Sequence, residues 1–131
     1  MTTTERFVII DDDAINNIKC RFVINKVIDG AEIFTFLSGR EGLDFLKVPA
    51  PKQVQTFVFL DINMPGMNGW EALDHFEIFD EKIKSRIKLF MLSSSVDPVD
   101  INRAKAIPRI IEYIIKPFSI EIFDRIMAEY K

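Results

Sequence analysis

The side chains best suited to chemistry in this sequence follow directly on short apolar runs. Asp11, Asp12 and Asp13 come after residues 7–10, and Asp61 comes after residues 57–60. Ser93 follows residues 87–92, with Ser94 and Ser95 behind it, and Lys116 follows residues 110–115. Adjacent carboxylates repel, and they stay ionised cheaply only beside a cation. One or two carboxylates with retained waters are the usual way of holding Mg²⁺. A further carboxylate can attack phosphorus and form an acyl phosphate. A lysine then supplies charge to the phosphoryl oxygens and a hydroxyl supplies a hydrogen bond. Taken singly, Asp13 reads as a helix N-cap and Lys116 as a solvated lysine. Their convergence is what points to a phosphoryl site.

That convergence requires elements that bring the ends of the runs together. The runs at 7–10, 33–37, 57–60, 87–92 and 110–115 are rich in Ile, Val and Phe and too short for typical helices, so they predict five strands. They are continuous rather than alternating, as in a parallel sheet covered on both faces. Between them lie amphipathic stretches. Ile15, Ile18 and Phe22 recur at helical spacing. Ser38-Gly39-Arg40-Glu41 reads as a capping box ahead of Leu43 and Leu46. Trp70, Leu73 and Phe76 mark a third helix, and Asp97-Pro98 gives an N-cap with proline in the first turn of a fourth. Ile122, Ile126 and Tyr130 mark the last. The order is β-α five times, which predicts a doubly wound α/β fold with a five-stranded parallel sheet and five helices. In such a sheet, ligands bind beyond the carboxyl ends of the strands, where all the residues above are placed.

Composition narrows the function classes. The 131 residues suit one domain spanning 1–131, and 48% hydrophobic content with 12 phenylalanines supplies a core. A net charge of −3, with no Lys/Arg block, disfavours a nucleic-acid backbone as a direct partner. The single cysteine, Cys20, excludes an internal disulfide and reads as a small buried residue. The start has no apolar h-region and no run is long enough to span a bilayer, so a cytoplasmic protein is expected. Residues 48–55, with two prolines, read as a loop, and the charged stretch 81–88 reads as a solvated one.

The segments Phe7-Val8-Ile9-Ile10-Asp11-Asp12-Asp13, Leu60-Asp61-Ile62-Asn63-Met64-Pro65-Gly66-Met67-Asn68-Gly69, Met91-Leu92-Ser93-Ser94 and Tyr113-Ile114-Ile115-Lys116-Pro117-Phe118 resemble the response-regulator receiver family, in order and across essentially the whole chain. The resemblance implies the flavodoxin-like (βα)5 receiver fold and a switch rather than an enzyme. Asp61 would be the phosphoacceptor, with Mg²⁺ held by Asp11, Asp12, Asp61 and the backbone carbonyl of Asn63. Lys116 would pair with the phosphoryl group, and Ser93 and Tyr113 would switch. The Asn63 and Ser95 side chains would tune phosphoryl lifetime. The Lys116–Pro117 bond is typically cis in this family. The implied partners are a sensor histidine kinase or histidine phosphotransfer protein and a downstream protein target, with no membrane and no direct nucleic acid. The chain would be a monomer or a phosphorylation-dependent dimer. One departure is Pro108-Arg109-Ile110-Ile111-Glu112, where many receivers carry a glycine and small residues before the tyrosine; a stiffer connection is expected there.

A second class shares part of this pattern. Asp11-x-Asp13 after a strand also resembles the first motif of haloacid-dehalogenase-type phosphatases, with Asp11 as nucleophile, Asp13 as general acid, and Ser93 and Lys116 matching the next two motifs. Against it, no second acidic pair follows Lys116, and the Asp61 loop would go unexplained. A third reading is a degenerate receiver that only scaffolds, which the full set of side chains disfavours. His75, the only histidine, sits amid Asp74 and Glu77 and reads as solvated rather than as a phosphoryl donor.

Overall fold

A computed structural model describes residues 4–131. Five strands, β1 (Thr4–Ile10), β2 (Glu32–Phe36), β3 (Val54–Leu60), β4 (Ile87–Ser93) and β5 (Ile110–Ile115), form one parallel sheet in the order β2-β1-β3-β4-β5. Six helices accompany them: α1 (Ala14–Val27), α2 (Gly39–Leu46), α3 (Gly69–Glu77), α4 (Glu81–Lys84), α5 (Pro98–Lys105) and α6 (Ile120–Tyr130). The expected count of five helices is corrected by α4, a single turn inside the stretch read as a solvated loop. Asp80 caps it through Lys82 N. Lys84 is buried there, its Nζ 2.9 Å from Glu77 O and 3.4 Å from carboxylate oxygens of both Glu77 and Glu81. A charged run thus folded because one of its cations found three acceptors.

Strand alternation divides the core into two faces. Val8, Ile10, Val58, Leu60, Leu89 and Met91 pack with Leu43, Leu46, Leu73 and Phe76 of α2 and α3. Phe7, Ile9, Phe57, Phe59, Phe90 and Leu92 pack on the other face with Cys20, Val23 and Ile24 of α1 and Phe123, Ile126 and Met127 of α6. The phenylalanines of the second face form a connected block. Phe59 lies 5.3 Å from Phe90 and 5.0 Å from Phe118, and Phe7 lies 5.4 Å from Phe123, ring centre to ring centre.

Two local readings shift in detail. In α1 the inward residues are Asn17, Cys20, Val23 and Ile24, so the helically spaced Ile15, Ile18 and Phe22 face solvent at 64%, 67% and 58% exposure. In α2, Ser38 Oγ accepts from Glu41 N, but Glu41 answers the hydroxyl rather than the backbone. A complete capping box sits at α3 instead, between Asn68 and Glu71. The residues before the tyrosine in β5 also behave distinctively. The β4–β5 register jumps from Leu89↔Ile110 to Phe90↔Glu112, which leaves Ile111 as a bulge. Arg109 is tied to Glu77 at 3.1 Å and lies 5.8 Å from the Phe76 ring centre.

Candidate functional site

The carboxyl ends of β1, β3, β4 and β5 carry the predicted residues to one edge, and backbone hydrogen bonds extend the sheet just far enough to fix them. Asp61 N donates to Ile10 O at 2.9 Å, and Lys116 N donates to Ser93 O at 2.9 Å. Asp11 N donates to Phe36 O at 3.0 Å. Single carboxylate oxygens of Asp11, Asp12 and Asp61 lie within 4.8 Å of one another; Asp11 and Asp61 are buried and Asp12 is exposed. Lys116 Nζ sits 2.8 Å from Asp11 Oδ2 and 3.6 Å from Asp61 Oδ1. The Lys116–Pro117 peptide bond is cis.

The Asp11 carboxylate is held on both oxygens. Its Oδ1 accepts from Asp13 N at 2.9 Å, and its Oδ2 accepts from both Asn16 Nδ2 and Lys116 Nζ at 2.8 Å. Asn17 Nδ2 donates to the Asp11 carbonyl at 3.0 Å, while the buried Asn17 Oδ1 has no partner among the described residues. Sequence reasoning missed these two amides. The available signal was a polar pair one turn into α1, where its inward face passes the acidic cluster. Asp13 is outside the cluster and caps α1, accepting from Ile15 N at 2.9 Å and Asn16 N at 3.4 Å. A carboxylate engaged this way is poorly placed for the general-acid role of the phosphatase reading.

Charge at the site is unbalanced. Three carboxylates face one ammonium, an excess of two negative charges if all are ionised. Burial first, then Asp11 and Asp12, pushes the Asp61 carboxyl up to about 6, although Lys116 pulls the other way. Lys116 itself is held above the ordinary lysine range: burial opposes this, but the hydrogen bond to Asp11 and the charges of Asp61 and Asp11 outweigh it. Burial, with Asp11 nearby, pushes the Cys20 thiol up to about 12, an inert packing residue rather than a nucleophile. A doubly charged cation with oxygen preference matches the excess, so the donor set fits Mg²⁺.

Ser93, fully buried, anchors a relay running away from the cluster. Its Oγ accepts from Ser95 N at 3.1 Å, and the Ser95 carbonyl accepts from the Tyr113 hydroxyl at 2.8 Å. Ser95 Oγ donates to Asp100 in α5 at 2.6 Å. Asn63, two residues past Asp61, is exposed in the β3–α3 loop. That loop turns at Gly66, where φ is +76°, and closes at Gly69. A Cβ on Gly69 would lie 2.5 Å from Asp61 O, so only glycine lets α3 start this close to the site. His75 is exposed on α3, as expected.

The doubly wound sheet, with polar residues gathered at the carboxyl ends of its strands, defines a class of fold, that of receiver domains, and comparison with known proteins agrees. The response regulator receiver domain model matches residues 7–127, and the chain belongs to that family. It is 27% identical over 117 residues to sporulation initiation phosphotransferase F of Bacillus subtilis (strain 168), covering 89% of this chain and 86% of that protein. A response regulator receiver protein from Dyadobacter fermentans DSM 18053 superposes with a TM-score of 0.87 at 30% identity, covering 95% of this chain and 96% of the other. A two-component response regulator from Cytophaga hutchinsonii gives 0.83 at 29% identity, with 97% and 96% covered. The family is one of signalling switches. No described helix is long and apolar enough to cross a membrane.

Proposed function

We propose that Asp61 is the phosphoacceptor of this receiver domain and that its modification switches affinity for a protein partner. One observation carries the reading: three strand-end carboxylates within 4.8 Å of each other, with Lys116 reaching both Asp11 and Asp61. An Asp61 carboxylate oxygen attacks the phosphorus of a phosphohistidine on a kinase or phosphotransfer protein. An O–P bond forms, the P–N bond breaks, and the imidazole nitrogen leaves with the electron pair. Asp11, Asp12, Asp61 and the Asn63 carbonyl would hold Mg²⁺, which supplies charge neutralisation to the transferring group. Lys116 then pairs with a phosphoryl oxygen, relinquishing part of its hold on Asp11.

Ser93 transmits the event. When its hydroxyl turns to the phosphoryl oxygens, the contact to Ser95 N is given up. Ser95 also carries the Tyr113 hydroxyl on its carbonyl and Asp100 on its own hydroxyl, so β5 and α5 both feel the change. A local charge event biasing a two-state packing arrangement is the physical core of such switches. Asn63, two residues past Asp61, and Ser95, two past Ser93, tune the lifetime of the phosphoryl group. The domain spans residues 1–131 and works in the cytoplasm. It acts as a monomer or a phosphorylation-dependent dimer, without direct nucleic-acid contact.

The test is beryllium fluoride with Mg²⁺, a phosphoryl analogue for carboxylates. Amide resonances of Ser93, Ser95, Tyr113 and Lys116 are expected to shift in the native chain and to stay fixed in Asp61→Ala. A native chain that forms no such complex contradicts the assignment and favours a scaffold.

A further inference from the structure

At the far end of the sheet from Asp61, the α2–β3 loop faces α4 across a cleft of about 370 Å³. Lys52, Lys82 and Arg86 line it, with Pro49, Ala50 and Ile83 as an apolar wall. A smaller, more enclosed recess of about 20 Å³ adjoins it; Arg6 and Thr56 help line the recess, and Arg86, Lys82 and Ile83 are shared between the two. The recess has room for one water-sized atom.

The charges around this cleft are not internally balanced. None of Arg6, Lys52, Lys82 and Arg86 forms a salt bridge among the described residues, although they gather around one cleft. Asp80 is the one acidic residue lining the two spaces, and one of its oxygens already caps α4 through Lys82 N at 2.9 Å. Arg6 is also fixed in place. Its Nε donates to the buried Thr56 Oγ1 at 2.8 Å, and its guanidinium lies 4.7 Å from the Phe45 ring centre. That leaves its terminal N–H groups as an oriented fork with no hydrogen-bonding partner among the described residues. Burial works against the Arg6 charge and Glu32 nearby works for it, so an incoming anion would relieve a cost already present.

We infer that this cleft is a binding site for a small phosphoanhydride anion, with one terminal oxygen in the recess against Arg6 and the remaining phosphate oxygens on Arg86, Lys82 and Lys52. Arginine forks match phosphate geometry and several cations call for several negative charges. The cleft is within the size range of small-ligand sites. It is separate from the acidic cluster, since it sits at the amino ends of the strands and opposes that cluster in sign.

The test is an amide-resonance titration of the full chain, metal-free in EDTA, with inorganic pyrophosphate, inorganic tripolyphosphate and ADP, and with sulfate at matched ionic strength. Saturable shifts are expected at Ala50, Lys52, Ile83, Ser85 and Arg86 for the phosphoanhydrides and not for sulfate. Arg86→Gln should weaken binding about tenfold or more, and Arg86→Lys should fall between, because charge is kept and the fork is lost. Lys82→Gln, at an exposed position on α4, is the second variant should Arg86→Gln fold poorly. Tighter binding of ADP than of pyrophosphate assigns the ligand as a nucleotide; equal or weaker binding assigns it as an inorganic phosphoanhydride. Shifts confined to the surroundings of Asp61 and Lys116, shifts that sulfate reproduces, or affinity unchanged in both Arg86→Gln and Lys82→Gln would overturn the proposal.

Discussion

Asp61 is the residue on which the energetics turn. It is 5% exposed, beside two other carboxylates, and its carboxyl is pushed up to about 6 from an ordinary 3.8. A carboxyl raised in the folded state binds more protons there than in the unfolded chain between those two values. The metal-free fold therefore loses stability as pH rises through that window, by about 3 kcal/mol in all. Asp61→Asn keeps the shape without the charge. In EDTA, chemical denaturation should find this variant more stable than the native chain at pH 7.5, with the gap closing toward pH 4. Added Mg²⁺ should stabilise the native chain and leave Asp61→Asn nearly unmoved. A native chain whose stability in EDTA is flat between pH 4 and 7 would mean the site carries no such charge excess.

At the scale of elements, the same packing that forms the fold also sets the site. Helix α3 begins almost in contact with the end of β3, because Gly69 has no side chain to hold them apart. Gly69→Ala should cost about 1–3 kcal/mol by overpacking and slow phosphorylation from acetyl phosphate, since the added carbon meets the Asp61 carbonyl. Near-native kinetics in that variant would show that the loop tolerates displacement. Helix α1 offers a different kind of feature. Its exposed Ile15, Ile18 and Phe22 begin three residues past Asp12, and if Asp61 takes its phosphoryl group from a protein donor, as proposed, this apolar stripe lies beside the point of transfer. Ile18→Asp should reduce transfer from a protein donor at least tenfold while leaving acetyl phosphate as effective as before; equal losses with both donors would tie the residue to the fold instead.

These elements also show what a sequence can and cannot reveal. Apolar runs of β-branched and aromatic residues made all five strands legible, and the polar residues directly behind them made the cluster legible, because strand ends in a parallel sheet converge by topology. The inward face of α1 was not. Its apolar spacing is carried by the exposed stripe, so periodicity marked a helix and the wrong face, and of the inward residues only Cys20 was read as buried. Helix α4 was hidden for a similar reason: its stability comes from three acceptors around Lys84, two supplied by Glu77 from outside the segment. Asn16 and Asn17 were passed over because a polar pair one turn into a helix is a weak signal until the acid it serves has a position.

For the molecule as a whole, the strand order places β1 and β3 side by side at the sheet's centre, with their connections leaving in opposite directions, and the Asp11–Asp61 pair sits at that switch point. The phenylalanine block under α1 and α6 stiffens one face, and the Ser93–Ser95–Tyr113 relay runs along the other side toward α5. Both carboxylates at the switch point are within reach of Lys116, yet only one of them can be the acceptor. Reaction with acetyl phosphate and Mg²⁺, reduction of the acyl phosphate with borohydride, and peptide mapping of the product decide between them. The modification is expected at position 61 alone; its appearance at position 11 would contradict the account and restore the phosphatase reading.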